Sequence, residues 1–350
     1  MKKVRIGIIG TGGISNKHID ELLKCEEAEI AALCDIDPAA LARAREKAGV
    51  AEEKCYTDYR ELIADPDVDA VEICTPNYLH AEMARAVLAA GKPLNLEKPI
   101  SMDYAEALTV CEAERASSTF GMTCFSYRFM PAVRYAKHLI EEGKLGKIIN
   151  VDVAYLKSSG FWAGRRLDGR FVKEYAGCGV IGDLGVHLID MTRYLVGDFK
   201  TVYASTEIIV KQRQKLDSDE YADVETEDLA SFMAKLEGNV NANFLISRCA
   251  IGNSNTIKFE IYGTEGVLQF NLNDPTVLTV CVGEVDRETG SLHTVKVPAK
   301  YNLGQEETFI RAALGEKLEN FPFVREGAAC QKVVDAVMES ARTDSVVKVM

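Results

Sequence analysis

The sequence predicts an α/β protein in two parts: a doubly wound parallel sheet at the N-terminus, and a C-terminal α+β domain with a large, mostly antiparallel open sheet. Three observations predict it. Short apolar runs alternate with helical patterns up to about residue 125, the pattern of a parallel sheet covered on both faces. A glycine turn, Gly10-Thr11-Gly12, follows the first run directly. From Lys147 onward polar–apolar alternation takes over, most cleanly in Asn239-Val240-Asn241-Ala242-Asn243-Phe244-Leu245-Ile246, the mark of strands with one covered face.

The elements follow in order. Residues 4–9 are an apolar, β-branched run that reads as a buried strand. Ile14, Ile19, Leu22 and Leu23 then place a helix over 14–24. A strand at 29–34 precedes a helix over 38–48 that opens on Pro38, with Asp37 as its N-cap. A strand at 69–74 leads to a helix over 79–90, with Met83, Ala84, Val87 and Leu88 on one face and Gly91 as its stop. The spacing then predicts a strand at 93–96, a helix over 103–117 and a strand at 119–125. Beyond a helix over 131–142, strands dominate, near 151–157, 202–210, 229–236, 239–246, 257–262, 267–270 and 277–282. The acidic stretch 217–227 reads as a loop, and Val333, Val334, Val337, Met338 and Ala341 predict a last helix over 322–342. The division is therefore residues 1–125 and 126–350, with the helix at about 323–342 able to pack back on the first domain.

Composition narrows the function. The chain has 350 residues, 47% hydrophobic, ample for two cores. Its 41 basic residues against 53 acidic ones give a net charge of −12, which argues against nucleic acid or anionic membranes as partners. Ten cysteines form no CxxC pair and sit mostly in apolar segments, so they read as reduced thiols of a cytoplasmic protein and no metal is expected. Lys2-Lys3 before an apolar run resembles a secretory leader, but Arg5 interrupts it and glycines follow, so this stretch reads as the first strand. No apolar run approaches the about 20 residues of a membrane span.

The first turn carries specific chemistry. Gly10 permits a tight turn at positive φ. Gly12 has no side chain to keep a pyrophosphate from the backbone, and the helix start beyond Gly13 and Ile14 offers free N–H groups and partial positive charge. The third position of the pattern holds Ser15, small enough for close helix–strand packing. Asp35 ends the second strand, near where an acid about 20 residues on grips the adenosine ribose. A carboxylate there repels a 2′-phosphate, so NAD is favoured and NADP stays possible. Other strand ends carry Thr75-Pro76-Asn77 and Glu97-Lys98-Pro99.

Oxidising an alcohol needs a hydride acceptor, a base, and donors that stabilise the developing alkoxide. Lys98 follows a strand's carboxyl end, where ligands of such sheets bind. Asp183 and His187, four residues apart, share a helix face with Asp190 three further on. A carboxylate beside an imidazole orients it and stabilises its charged form. Plainer readings stay open here: a solvated loop lysine, a helix N-cap and a half-buried core histidine.

Taken in order, Gly10-Thr11-Gly12, Cys74-Thr75-Pro76-Asn77-Tyr78-Leu79-His80, Gly91-Lys92-Pro93, Glu97-Lys98-Pro99, Tyr127-Arg128-Phe129, Gly182-Asp183-Leu184-Gly185-Val186-His187-Leu188-Ile189-Asp190 and Ile261-Tyr262-Gly263-Thr264-Glu265-Gly266 resemble the Gfo/Idh/MocA family (glucose–fructose oxidoreductase, inositol dehydrogenase, rhizopine catabolism). The resemblance covers nearly the whole chain. Departures are Ser15 at the third glycine and Leu94-Asn95-Leu96 before Glu97.

This resemblance implies a Rossmann domain and an NAD(P)-dependent dehydrogenase of a sugar or polyol. It implies Lys98, Asp183 and His187 as the catalytic set: His187 as base, Lys98 as alkoxide stabiliser and proton relay, Asp183 as substrate ligand, with Lys98 as base the alternative. Gly10, Thr11, Gly12, Gly13, Ile14, Asp35, Thr75, Pro76, Asn77, His80, Glu97, Lys98 and Arg128 would line the cofactor. His80 is equally a structural histidine, Glu97 equally a partner of Lys98, and Arg128 equally half of a salt bridge. Tyr127 lines the same pocket. Trp162 and Arg165, on a loop before the catalytic helix, would meet the sugar. Family members pair through their exposed sheets, so a homodimer or homotetramer is expected. Two rivals stand beside this reading: a glycosidase that oxidises its sugar transiently with bound NAD, and a non-catalytic dinucleotide sensor.

Overall fold

The computed structural model describes residues 3–349; Met1 and Lys2, with which the first stretch begins, and Met350 lie outside it. The described residues form two compact units, 3–125 with 304–331, and 126–303 with 332–349.

In the first unit strands β1 (Val4–Ile9), β2 (Ala28–Cys34), β3 (Cys55–Tyr56), β4 (Ala70–Ile73), β5 (Leu94–Leu96) and β6 (Gly121–Thr123) form one sheet in the order β3-β2-β1-β4-β5-β6. Every pairing is parallel. Helices α1 (Ser15–Leu22), α2 (Pro38–Ala48), α3 (Tyr59–Ala64), α4 (Asn77–Ala89) and α5 (Tyr104–Ala116) connect the strands. The apolar runs are continuous because both sheet faces are buried; Ile6, Ile8, Val71, Ile73, Leu94 and Leu96 have no exposure. Each such side chain contributes about 1.5–3 kcal/mol. Asp37 caps α2 through the Ala39 N–H, as its sequence predicts.

Strand β3 and helix α3 were not legible: one has two residues and the other six. Residues 304–331, assigned from the sequence to the second domain with the last helix able to pack back, belong to the first compact unit. Helix α10 (Gln305–Ala313) and the first turns of α11 (Val324–Thr343) belong to the first unit. Their apolar residues complete its core, with Phe309 and Val324 fully buried. At Gly327 a Cβ would lie 2.6 Å from the Ile100 side chain and 2.7 Å from that of Thr123, so this approach needs glycine.

The second unit opens with α6 (Pro131–Glu141) and β7 (Ile148–Leu156), followed by α7 (Lys173–Ala176) and α8 (Val186–Leu195). Then come β8 (Phe199–Glu207), β9 (Gln212–Gln214), β10 (Tyr221–Asp223), β11 (Leu229–Leu236), β12 (Asn241–Ser247), β13 (Thr256–Gly263), β14 (Gly266–Asn271), β15 (Val277–Val282), α9 (Glu284–Thr289), β16 (His293–Lys296) and, after α11, β17 (Val347–Lys348). Nine of these strands form one sheet in the order β16-β15-β14-β13-β7-β12-β11-β8-β17. All its pairs are antiparallel except β7 with β12. The alternation seen in the sequence is the alternation of burial: β11 and β12 bury every second residue. Phe232 stacks on Phe244 at 4.1 Å in the covered layer, where α8 packs on β7. The stretch 217–227, expected as a loop, contains β10, which pairs with β9 in a two-stranded hairpin.

Candidate active site

In the first unit the site residues gather at the carboxyl ends of β1, β2, β4 and β5. Gly10 has φ of 89°, and a Cβ there would lie 2.7 Å from the Cys74 carbonyl carbon. Only glycine allows this crossing. Nothing lies within 4 Å of a Cβ built on Gly12 or Gly13. Helix α1 starts beside them with no side-chain cap at Ile14, leaving N–H donors for an anion. Ser15 is fully buried and its Oγ donates to the Gly12 carbonyl at 2.7 Å, so it fits the third-glycine position while pinning the loop. These features fit a dinucleotide pyrophosphate. The Asp35 carboxylate, half-buried at the end of β2, accepts from the Thr11 N–H at 2.6 Å and the Thr11 hydroxyl at 3.0 Å. Its other oxygen accepts from the Asp37 N–H at 2.8 Å.

Thr75 and Pro76 form the turn after β4, and Asn77 begins α4. His80 sits 1% exposed, with Nδ1 2.6 Å from the Pro99 carbonyl oxygen and Nε2 2.7 Å from that of Thr75. Burial pushes its imidazole pKa down against these carbonyls, which hold it up. His80, read from the sequence as equally a cofactor contact or a structural histidine, has both ring nitrogens on the backbone and braces the Thr75–Asn77 turn to the Glu97–Pro99 turn. Glu97 is buried, and its Oε2 accepts from the Lys98 N–H at 3.0 Å. Lys98 is half-buried.

In the second unit Asp183 lies in a π-helical turn, Ile181–Gly185, that runs directly into α8 carrying His187. Such a widened turn re-aims side chains and recurs at functional sites. His187 is 6% exposed, its ring edge-on to Tyr127 at 4.7 Å. The Tyr127 and Tyr155 hydroxyls are 2.8 Å apart, and that of Tyr155 donates to Asn255 Oδ1 at 2.9 Å. Arg128 is buried and grips buried Asp190 with two nitrogens, which spends this guanidinium fork on an ion pair. Asp190 thus serves Arg128.

Arg248, not picked out from the sequence, reaches Asp183 Oδ2 at 3.3 Å. The Asp183 side chain keeps 33% exposure, so it remains open to a ligand. Trp162 is 59% exposed on its loop. Arg165 lies 6.0 Å from the Trp162 ring and 5.0 Å from that of Phe171, and its Nη2 is 3.4 Å from Asp168. Arg213 fastens the same loop by donating to the Gly160 carbonyl at 2.8 Å. The signal for Arg248 was its place just past an alternating strand. Nothing local marked Arg213.

Two groups among the described residues have metal-ligating atoms close together: His18, Glu97 and Cys124, and His18, Glu72 and Glu306. Their closest separations, 2.9 and 3.0 Å, are hydrogen bonds, shorter than the roughly 3.3 Å between ligands around a tetrahedral zinc.

Comparison with known proteins gives a consistent picture. A family described as "Oxidoreductase family, NAD-binding Rossmann fold" matches residues 4–123, and the "GFO/IDH/MocA C-terminal domain" matches residues 133–269. The chain is 33% identical over 348 residues to levoglucosan dehydrogenase of Pseudarthrobacter phenanthrenivorans, covering 91% of this chain and 88% of that one. It is 31% identical over 220 residues to myo-inositol 2-dehydrogenase of Thermotoga maritima, covering 60% of each. A solved structure of levoglucosan dehydrogenase in complex with NADH and levoglucosan matches with a TM-score of 0.91 at 30% identity, covering 100% of both chains.

Proposed function

We infer the reaction from one premise: the chain belongs to the Gfo/Idh/MocA oxidoreductase family. It is an NAD-dependent dehydrogenase that transfers a hydride between a sugar or polyol alcohol and the nicotinamide. The residue roles are our proposal. His187 takes the hydroxyl proton as general base, Asp183 holds the reacting sugar through its hydroxyls and orients His187, and Lys98 stabilises the alkoxide and relays the proton. The observation that carries this is the π-turn, which sets the open carboxylate of Asp183 four residues before the Tyr127-packed ring of His187.

The cofactor-binding residues would be Gly10 to Ile14, Asp35, Thr75 to Asn77, and Glu97 with Lys98. Bound NAD supplies the hydride acceptor. The chain's own residues do the rest: they seat the alcohol, remove its proton and hold the anion that develops. Asp35 offers a carboxylate for ribose hydroxyls, which favours NAD over NADP. Trp162 and Arg165 would contact the sugar ring. The substrate would be a cyclic sugar or inositol with a secondary ring hydroxyl, in keeping with the relatives' substrates.

A homo-oligomer formed through the uncovered sheet face belongs to the same proposal. Ile149, Tyr203, Met233 and Leu245 are exposed there, at 39–58%, and Tyr203 pairs with Met233 across β8 and β11. Exposed apolar side chains on an uncovered sheet face favour burial against a partner. Ten free cysteines suit a reducing, cytoplasmic location, and no helix among the described residues is long and apolar enough to cross a membrane.

The test is incubation with excess NAD and a panel of anhydrosugars, aldoses, inositols and glycosides, following NADH absorbance and products together. NADH formation with one cyclic polyol is the expected result. Aglycone release without net NADH would replace the dehydrogenase with a redox-neutral glycosidase. Silence across the panel with NAD bound would favour a sensor.

A further inference from the structure

The first unit buries a polar cluster of which the proposed chemistry uses only Glu97. His18, on α1, is 2% exposed. Its Nδ1 lies 2.9 Å from Glu72 and 3.3 Å from Glu306, and its Nε2 lies 3.0 Å from Glu97 Oε1. Asn95 donates to Glu72 at 3.1 Å and to Glu306 at 2.9 Å, and accepts from the Cys124 thiol at 3.0 Å. Gln305 donates to Glu306 at 2.8 Å. Buried Cys74 also faces the ring.

Three carboxylates in a dry core need a cation or protons. With carboxylates at both nitrogens the ring can donate from both only as an imidazolium, the form such partners favour. Burial opposes that charge, and Cys74, Glu306 and Glu72 outweigh it, holding the pKa of His18 well above the ordinary value. Burial, with Glu72 alongside, pushes Glu306 well up. Burial works against the charge of Glu72 too, but His18 holds its pKa below the usual range. One proton is therefore shared on the Glu72–Glu306 side, and the other face of His18 is left to Glu97.

Glu97 faces two ways. One oxygen meets His18, and the other receives the Lys98 N–H. We propose that His18 is a positioning residue of the active site: as a buried cation it fixes the Glu97 carboxylate, and that carboxylate fixes the turn carrying Lys98. The proposal rests on Lys98 being catalytic. It also explains Asn95, where the sequence departs from its family. Asn95 is wholly buried and ties the two carboxylates on the far side of His18 together.

The experiment uses full-length protein at saturating NAD, with kcat and KM measured for His18→Asn, Glu97→Gln, the double variant and Lys98→Ala. His18→Asn should lower kcat by about 10²-fold, the scale of an ångström misplacement of a catalytic group, with the KM for NAD changed less than about threefold. On the Glu97→Gln background the cation has no carboxylate to fix beside Lys98, although Glu72 and Glu306 still face it, so the further loss of kcat from His18→Asn should be small. Fully multiplicative losses would show a merely structural histidine and overturn the proposal. If Lys98→Ala is inactive while His18→Asn matches the parent, the proposal falls and the dehydrogenase mechanism stands. If Lys98→Ala retains full activity, the catalytic reading itself falls. Should His18→Asn not fold, nitrogen NMR of the unsubstituted holoenzyme decides: a His18 ring still doubly protonated above the ordinary imidazole pKa of about 6.5 is expected, and a neutral tautomer there overturns the proposal.

Discussion

The proposed nucleotide side and the proposed substrate side of this enzyme are built differently. On the nucleotide side the groups that matter are held by backbone and buried partners: His80 lies between two carbonyls, and Glu97 between His18 and the Lys98 N–H. On the substrate side they stand at a widened helical turn and on a loop, with Trp162 59% and the Asp183 side chain 33% exposed. A cofactor of fixed shape suits a rigid frame, whereas sugars differ in the placement of their hydroxyls. The difference teaches where specificity can change without disturbing the machinery.

Four substitutions sharpen that contrast, from the largest effect down. Lys98→Ala should cut kcat by about two to four decades, the span of a positioned proton-transfer group, with binding of NAD retained in fluorescence titration. Unaltered turnover would remove Lys98 from the chemistry. His187→Asn should cost about two to three decades and abolish the basic-group limb of the pH profile; a profile unchanged in shape would shift the base to Lys98. Asp35→Ala should weaken NAD by about tenfold, the value of a hydrogen bond to a charged group, and narrow the preference over NADP. Equal losses for NAD and NADP would mean Asp35 only ties down Thr11. Trp162→Ala should raise the sugar KM about three- to tenfold at nearly constant kcat, as loss of uniform binding does. A fall in kcat alone would instead make it part of the reacting geometry.

The buried cluster makes a pH prediction with a definite sign. His18 has a raised folded pKa, so its contribution is fully present below about 6.5 and is lost as pH rises through the folded value. Glu306 is also raised, so between about 4.5 and its folded value the folded state keeps a proton the unfolded chain has released. Both make stability fall with rising pH. The melting temperature should drop as pH rises above about 6.5, and Glu306→Gln, which keeps the protonated shape, should flatten that drop. Parallel curves would show that Glu306 does not hold the proton.

Most of the fold was legible because its signals are local. The run Val4–Ile9, the turn at Gly10 and the alternation in β12 are written in neighbouring residues. The proposed catalytic residues Asp183 and His187 stand out by spacing, yet the π-turn between them does not, since nothing in Gly182–Val186 distinguishes it from an ordinary helix start. His18, Glu72 and Glu306 escaped notice because each reads alone as a surface-type residue in a helix or strand. Only the sheet brings residues 18, 72, 97 and 306 together. Arg248 was missed for the same reason: its partner Asp183 is 65 residues away.

The return of residues 304–331 to the first unit has a consequence for how the molecule is made. The glycine turn and its strands leave the ribosome first, but Glu306, Phe309 and Val324 are still unsynthesised. At about 5–20 residues per second, the nascent nucleotide domain waits roughly ten to forty seconds for its last pieces. During that interval His18 has only part of its cage and one edge of the core stays uncovered. A truncated chain ending at residue 125 should therefore be a poor holder of NAD, and the later segment acts as the clasp that closes a domain made well before it.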